Sequence, residues 1–163
     1  MNIIITGERN IGKTTALDAV LNEYDGSVAG FRTRFTYGKD GRYQELRMID
    51  IRTGESRPVV MWDDDRPRVC KDAFDEFGEA CLDCQGDLII MDELGRFEEQ
   101  AERFADAVHR AFDGGADVIA VVAKRAAGWT QELKHRGDVL LLTATEDNRD
   151  AIPGIVRESI RKL

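Results

Sequence analysis

Cysteine and proline are both scarce. The 163 residues include only three of each. Cys70, Cys81 and Cys84 are an odd set that cannot close into a disulfide framework, which predicts a reducing compartment. Long apolar runs are missing too. Leu88 to Met91 and Val139 to Leu142 are typical of those present, far short of the roughly 20 residues needed to cross a bilayer, so no membrane association is expected. No basic tract stands out. Acids number 31 against 23 bases, a net charge of −8, which repels a phosphate backbone over most of the surface and argues against nucleic acid as a partner. The opening Met1-Asn2-Ile3-Ile4-Ile5 lacks a basic segment and a cleavable apolar stretch, so the expected location is the cytoplasm. Internal repeats and low-complexity tracts are absent as well. With 42% hydrophobic and 33% charged residues, the composition is that of a globular protein. At roughly 100–200 residues per domain, the length predicts one domain over residues 1–163.

What is present is an alternation of strand and helix signals. Ile3 to Thr6, Leu88 to Met91, Val118 to Ala123 and Val139 to Leu142 are short and apolar on both faces, as strands covered by helices on both sides must be. Thr14 to Tyr24, Cys70 to Cys84, Phe97 to Phe112 and Ile152 to Ile160 carry apolar residues at spacings of three and four, and supply those helices. In the third, Phe97, Ala101, Phe104, Ala105, Val108 and Phe112 form the inner stripe, while Glu98, Glu99, Glu102, Arg103, Asp106 and Arg110 face outward. Between Ser27 and Trp62, the turn signals Gly38, Asp40-Gly41 and Thr53-Gly54 separate the strand-like runs Val28 to Phe35, Tyr43 to Ile51 and Arg57 to Trp62. The expected fold is α/β: a three-layer sandwich with a mostly parallel central sheet and an antiparallel strand excursion. Asp63-Asp64-Asp65 reads as an exposed turn, since adjacent carboxylates do not converge on an ion by themselves.

Gly7-Glu8-Arg9-Asn10-Ile11-Gly12-Lys13-Thr14 matches the phosphate-loop pattern G-x-x-x-x-G-K-[ST] without deviation. It also lies where the mechanism needs it, between a strand and a helix. Glycines let backbone N–H groups turn toward a phosphate, the helix start favours negative charge, and Lys13 adds a point charge near the transferable phosphate. Thr14 offers a hydroxyl to magnesium, and Thr15 follows it at the head of the helix. A sheet of this kind should hold a carboxylate at a neighbouring strand tip, and Asp87-Leu88-Ile89-Ile90-Met91-Asp92-Glu93 provides it. Asp92 is the candidate metal anchor. Glu93 is the candidate that orients or deprotonates an attacking water.

Ile5-Thr6-Gly7 with Gly12-Lys13-Thr14-Thr15, then Gly30-Phe31-Arg32-Thr33, then Asp92-Glu93-Leu94-Gly95-Arg96-Phe97-Glu98 and finally Asn148-Arg149-Asp150 resemble, in order, the signatures of the small THEP-type (cancer-related) nucleoside triphosphatases. The segment ending in Glu98 is the most diagnostic, because phosphate loops alone are widely shared. One departure is visible: Arg34 and Phe35 stand where that family usually continues with acidic residues. The resemblance implies a RecA-like P-loop NTPase that hydrolyses the γ-phosphate of ATP, GTP and other nucleoside triphosphates, dependent on Mg2+.

Four features carry two readings each. Lys124, at a strand end, either meets the γ-phosphate or emerges into solvent. Asn148 and Arg149, at the ligand rim of the sheet, either contact the nucleotide base or belong with a helix cap near Asp147. Glu98 either supports the site or is an ordinary glutamate in a first helical turn. The Cys81-Leu82-Asp83-Cys84 segment with Cys70 invites a zinc reading. Spacings of four, three, four and three through Phe74 and Phe77 instead put the cysteines on one apolar helical stripe. A small-molecule or nucleotide kinase and a nucleotide-dependent switch remain alternatives to the hydrolase at this stage.

Overall fold

The computed structural model describes residues 1–160. It contains eight strands: β1 (Asn2–Gly7), β2 (Val28–Tyr37), β3 (Tyr43–Asp50), β4 (Ser56–Asp63), β5 (Arg66–Val69), β6 (Leu88–Leu94), β7 (Asp117–Val122) and β8 (Val139–Ala144). They form one sheet in the order β5-β4-β3-β2-β6-β7-β1-β8. From β2 to β8 every pairing is parallel, and β3, β4 and β5 continue the sheet antiparallel. The excursion is therefore an extension of the central sheet. β2 joins the two parts, with Val28 to Arg32 parallel to β6 and Phe31 to Tyr37 antiparallel to β3.

Alternation along the inner strands explains why they are apolar throughout. Ile4, Ile89, Met91, Val118 and Ala120 face one core cluster, and Ile3, Ile5, Leu88, Ile90, Ile119 and Val121 face the other. Each strand feeds two cores, so no polar face is left to mark it. α1 (Lys13–Leu21) covers the second face together with the last helix, α6 (Ile152–Ser159), through Ala16, Leu17, Val20, Ile152 and Val156. On the first face lie α2 (Lys71–Ala73), α3 (Glu79–Leu82), α4 (Glu102–Asp113) and the short α5 (Trp129–Glu132). Gly30 sits where β2 meets β6: its φ is 108°, and a Cβ there would stand 1.9 Å from the Ile90 carbonyl oxygen. Only glycine fits that approach.

Several helix bounds differ from the sequence reading. The first helix ends at Leu21 and passes through a turn to Tyr24. The stretch from Cys70 to Cys84 is broken by a π-helical turn at Phe74–Gly78 between α2 and α3. Phe74, Phe77 and Cys81 reach the core, whereas Cys70 and Cys84 lie half-buried at the two ends. All three thiols are free, and no group of three or more metal-ligating side chains occurs among the described residues. The third helix starts at Glu102, not Phe97, because Phe97 to Gln100 form a separate turn. Its start is held from across the core, where the Asp75 carboxylate, 3% exposed, accepts a bond from the Phe104 amide at 3.0 Å. Glu98, expected to face outward, is buried at 2% exposure. β5 has no counterpart in the sequence reading. It follows the predicted acidic turn, with Asp64 at φ 54° and every residue of the strand exposed.

Candidate functional site

The phosphate loop joins β1, which lies between β7 and β8 in the parallel sheet, to α1. Gly12 caps α1 with φ 111°, a left-handed conformation that glycine adopts without strain. The first amides of α1 have no acceptor within the helix, which leaves them free for an anion. Lys13 is 8% exposed, and its Nζ donates to the carbonyls of Gly7 at 2.7 Å and Glu8 at 3.0 Å. The same ammonium is 3.7 Å from Glu93 Oε2. The Thr14 hydroxyl donates to Asp92 Oδ1 at 3.2 Å. Thr15 is exposed on the next position of α1, and Asn10 takes φ 61° in the loop. Residues from β1, α1 and β6 are thus gathered at the carboxyl ends of the parallel strands.

Asp92 and Glu93 end β6 differently. Asp92 is 5% exposed, and burial pushes its carboxyl pKa up against the pull of Arg32 and the Thr14 hydroxyl. Arg32 lies 3.6 Å from Asp92 and 2.6 Å from Asp18 of α1, so it ties β2, β6 and α1 together. Glu93 is also pushed up by burial, with Lys13 opposing. The Thr33 hydroxyl accepts from the Glu93 amide at 3.2 Å and donates to the Asp92 carbonyl at 3.3 Å, which fixes the backbone of the pair. Thr14 and Asp92 offer hard oxygen donors side by side, a set that suits a magnesium ion.

The residues with two readings find definite places. Lys124 forms an ion pair with Glu8, so it lies against the phosphate loop. Asn148 closes the turn after β8: its Oδ1 accepts from the Thr145 amide at 2.7 Å, and its Nδ2 donates to the Thr143 carbonyl at 2.8 Å. It does not cap α6, whose first flanking residue, Ala151, has no side-chain cap bond. Arg149 reaches the loop, with Nη1 3.4 Å from the Ile11 carbonyl. The Glu98 carboxylate accepts from the Gly95 amide at 3.0 Å, and burial raises its pKa to about 7. Of the loop residues, Arg9 lays its side chain over the rings of Phe35 and Tyr43.

Three further residues belong to this constellation. Arg32 and Thr33 sit in a quoted signature to which the sequence alone assigned no role. Lys134 had no signal at all. It lies in a short 3-10 turn, and its Nζ donates to the carbonyls of Ala123 at 2.8 Å and Lys124 at 3.3 Å and to Gln131 Oε1 at 3.0 Å. Burial lowers its pKa, and the nearby Lys13 charge adds to the shift.

A family model described as NTPase matches residues 2–157. Nucleoside-triphosphatase THEP1 of Natranaerobius thermophilus is 30% identical, with 93% of this chain and 92% of that protein aligned. The protein of the same name from Thermotoga maritima is also 30% identical, covering 93% and 91%. Among solved structures, the crystal structure of THEP1 from Aquifex aeolicus superposes with a TM-score of 0.79 at 24% identity, covering 99% of this chain and all of that one. The solution structure of a human cancer-related nucleoside triphosphatase gives 0.75 at 22% identity, covering 99% of both.

Proposed function

The chain belongs to the NTPase family and is a nucleoside-triphosphatase, and from that premise we propose how its own residues hydrolyse the substrate. The triphosphate lies in the loop of Gly7, Glu8, Arg9, Asn10, Ile11, Gly12, Lys13, Thr14 and Thr15, held by backbone amides and by the Lys13 ammonium. Water attacks the terminal phosphorus in line, the bond from that phosphorus to the β–γ bridging oxygen breaks, and nucleoside diphosphate, phosphate and a proton leave. Glu93 orients the water and takes up its proton. Lys13 carries the charge that grows on the bridging and terminal oxygens. Thr14 and Asp92 would hold Mg2+, which supplies charge neutralisation on the phosphate oxygens when bound.

One observation carries this reading: Lys13 Nζ is 3.7 Å from the Glu93 carboxylate, and the Thr14 hydroxyl bonds Asp92 on the adjacent residue. The cation for phosphate, the metal donors and the acid for water thus stand together. Arg149, whose guanidinium reaches the Ile11 carbonyl, contacts the base or ribose in this reading, whereas the Asn148 side chain is already spent on its turn. Broad tolerance of ATP, GTP, CTP and UTP is expected, as the resemblance to the small THEP-type triphosphatases implies. A cytoplasmic location fits three free thiols and the lack, among the described residues, of a helix long and apolar enough to cross a membrane.

Single-turnover hydrolysis by Glu93→Gln tests the assignment. Loss of a positioned base or orienter typically costs about 10²–10⁴ in rate, while a fluorescent nucleotide should bind as to the wild type. A rate within a few-fold of wild type would remove Glu93 from the mechanism.

A further inference from the structure

β2 runs five residues past Arg32, the residue in register with Asp92, before it ends at Tyr37. At about 3.3 Å per residue, the β2–β3 hairpin therefore rises roughly 15 Å above the rim on which the phosphate loop sits. One face of that projection is tiled with rings. Phe35 and Tyr43 have centroids 4.8 Å apart, Tyr37 and Tyr43 5.4 Å, Tyr43 and Trp62 5.3 Å, and Trp62 and Phe97 5.7 Å. Cross-strand ring pairs stabilise hairpins in general. This cluster differs in what overhangs it. Arg9, from the phosphate loop, lies 5.8 and 5.6 Å from the centroids of Phe35 and Tyr43 and donates to the Tyr43 hydroxyl. Arg96, from the segment after β6, lies 4.9 Å from the centroid of Phe97. Among the described residues neither guanidinium forms a salt bridge, and Tyr37 at the outer end of the row is 55% exposed.

We infer that this platform is a second nucleotide site, taking a nucleoside monophosphate with its base stacked on the exposed Tyr37 and its phosphate between Arg9 and Arg96. The exposed Tyr37 ring offers its face to a flat base regardless of identity, and guanidinium forks match phosphate oxygens. Two guanidiniums balance the charge of one phosphate, whereas a polyanion meets the −8 of the whole chain. The substrate's own base is not the occupant. Arg149 follows β8, and β6, β7 and β1 lie between that strand and β2. The separation is about 19 Å at 4.8 Å per strand. Glu93 stands on the platform side, its amide bonded to Thr33, two residues before Phe35 on the same strand. A bound monophosphate would therefore sit beyond the terminal phosphate of the substrate. The inference rests on the phosphate loop being the triphosphate site, and the test separates the two.

Isothermal calorimetry with AMP is the measurement, on wild type, Lys13→Ala, Tyr37→Ala and Arg96→Ala, with phosphate release from ATP recorded on the same preparations. Lys13→Ala should abolish phosphate release yet bind AMP within about threefold of wild type. Tyr37→Ala and Arg96→Ala should each weaken AMP by about tenfold or more while keeping wild-type turnover at saturating ATP. Loss of AMP binding in Lys13→Ala would place the monophosphate in the phosphate loop and overturn the second site. Undiminished AMP binding in both Tyr37→Ala and Arg96→Ala, or no AMP binding to wild type at millimolar concentration, would overturn it too. A single-stranded oligonucleotide binding far more tightly than AMP would assign the platform to a polymer and reject the mononucleotide. Retained hydrolysis in Lys13→Ala would instead count against the phosphate-loop assignment, independently of the platform.

Discussion

At the scale of the residue, Lys13 and Glu98 make the sharpest demands. Lys13 is buried and bonded to two carbonyls of its own loop, so Lys13→Ala removes a cation from the phosphate position without emptying a core site. Turnover should vanish and circular dichroism should stay that of the wild type. Arg149→Ala should raise KM several-fold for all four nucleotides with kcat little changed, the signature of uniform binding, and steady-state kinetics would show it. Glu98 makes a pH prediction. Its folded pKa of about 7 lies above the usual 4.5, so ionising it costs more in the folded state than in the unfolded one. The protein should be unpenalised below about pH 4.5, lose stability as pH rises from there to 7, and then level off. At one pKa unit per 1.36 kcal/mol the cost approaches ~3 kcal/mol. Glu98→Gln should remove most of that slope, so denaturant melts at pH 5 and pH 8 should differ less for the variant than for wild type. An identical pH slope in both proteins would contradict the burial argument.

At the scale of the element, the start of α4 depends on a carboxylate from another helix. Asp75 accepts from the Phe104 amide and pairs with Lys71 at 2.7 Å. Asp75→Ala should cost about 1–2 kcal/mol in a denaturant titration, as loss of a helix cap does, and Asp75→Asn should recover part of it. The same contact shows where the sequence falls silent. The inner strands were legible because a strand buried on both faces has only apolar residues to show, and the phosphate loop because its backbone shape calls for glycine at Gly7 and Gly12. The π-helical turn was not legible, since Phe74, Phe77 and Cys81 keep helical spacing across it. β5 escaped because its four residues Arg66, Pro67, Arg68 and Val69 are all exposed and bury nothing that periodicity could register. Glu98 and Glu99 look alike in sequence, and only the turn that folds Gly95 back over Glu98 makes one of them interior. Lys134 joins the site through the main chain of Ala123 and Lys124, a contact with no side-chain pattern to announce it.

At the scale of the whole molecule, the question is whether the antiparallel strands form a unit of their own. Phe31, Leu46, Met48, Val59 and Val60 share one core cluster with Met91, Phe104 and Val118, which argues for a single domain that melts as one. Far-ultraviolet dichroism and tryptophan fluorescence should therefore give coincident transitions, with Trp62 in β4 and Trp129 in α5 reporting from separate regions. Separate midpoints would mark β3 to β5 as an independent unit.

The position of β1 has a consequence for how the protein is made. The strand that launches the phosphate loop precedes both of its partners in the chain: among the described residues it pairs with β7 and β8, with Asn2 in register with Val118 and with Val139. On the ribosome, at about 5–20 residues per second, the loop waits through the synthesis of β2 to β6 before either flank of its strand exists. Nascent chains arrested before β7 should accordingly fail to retain a triphosphate, and competence should arrive late and abruptly, once the segment through Ala144 has cleared the exit tunnel.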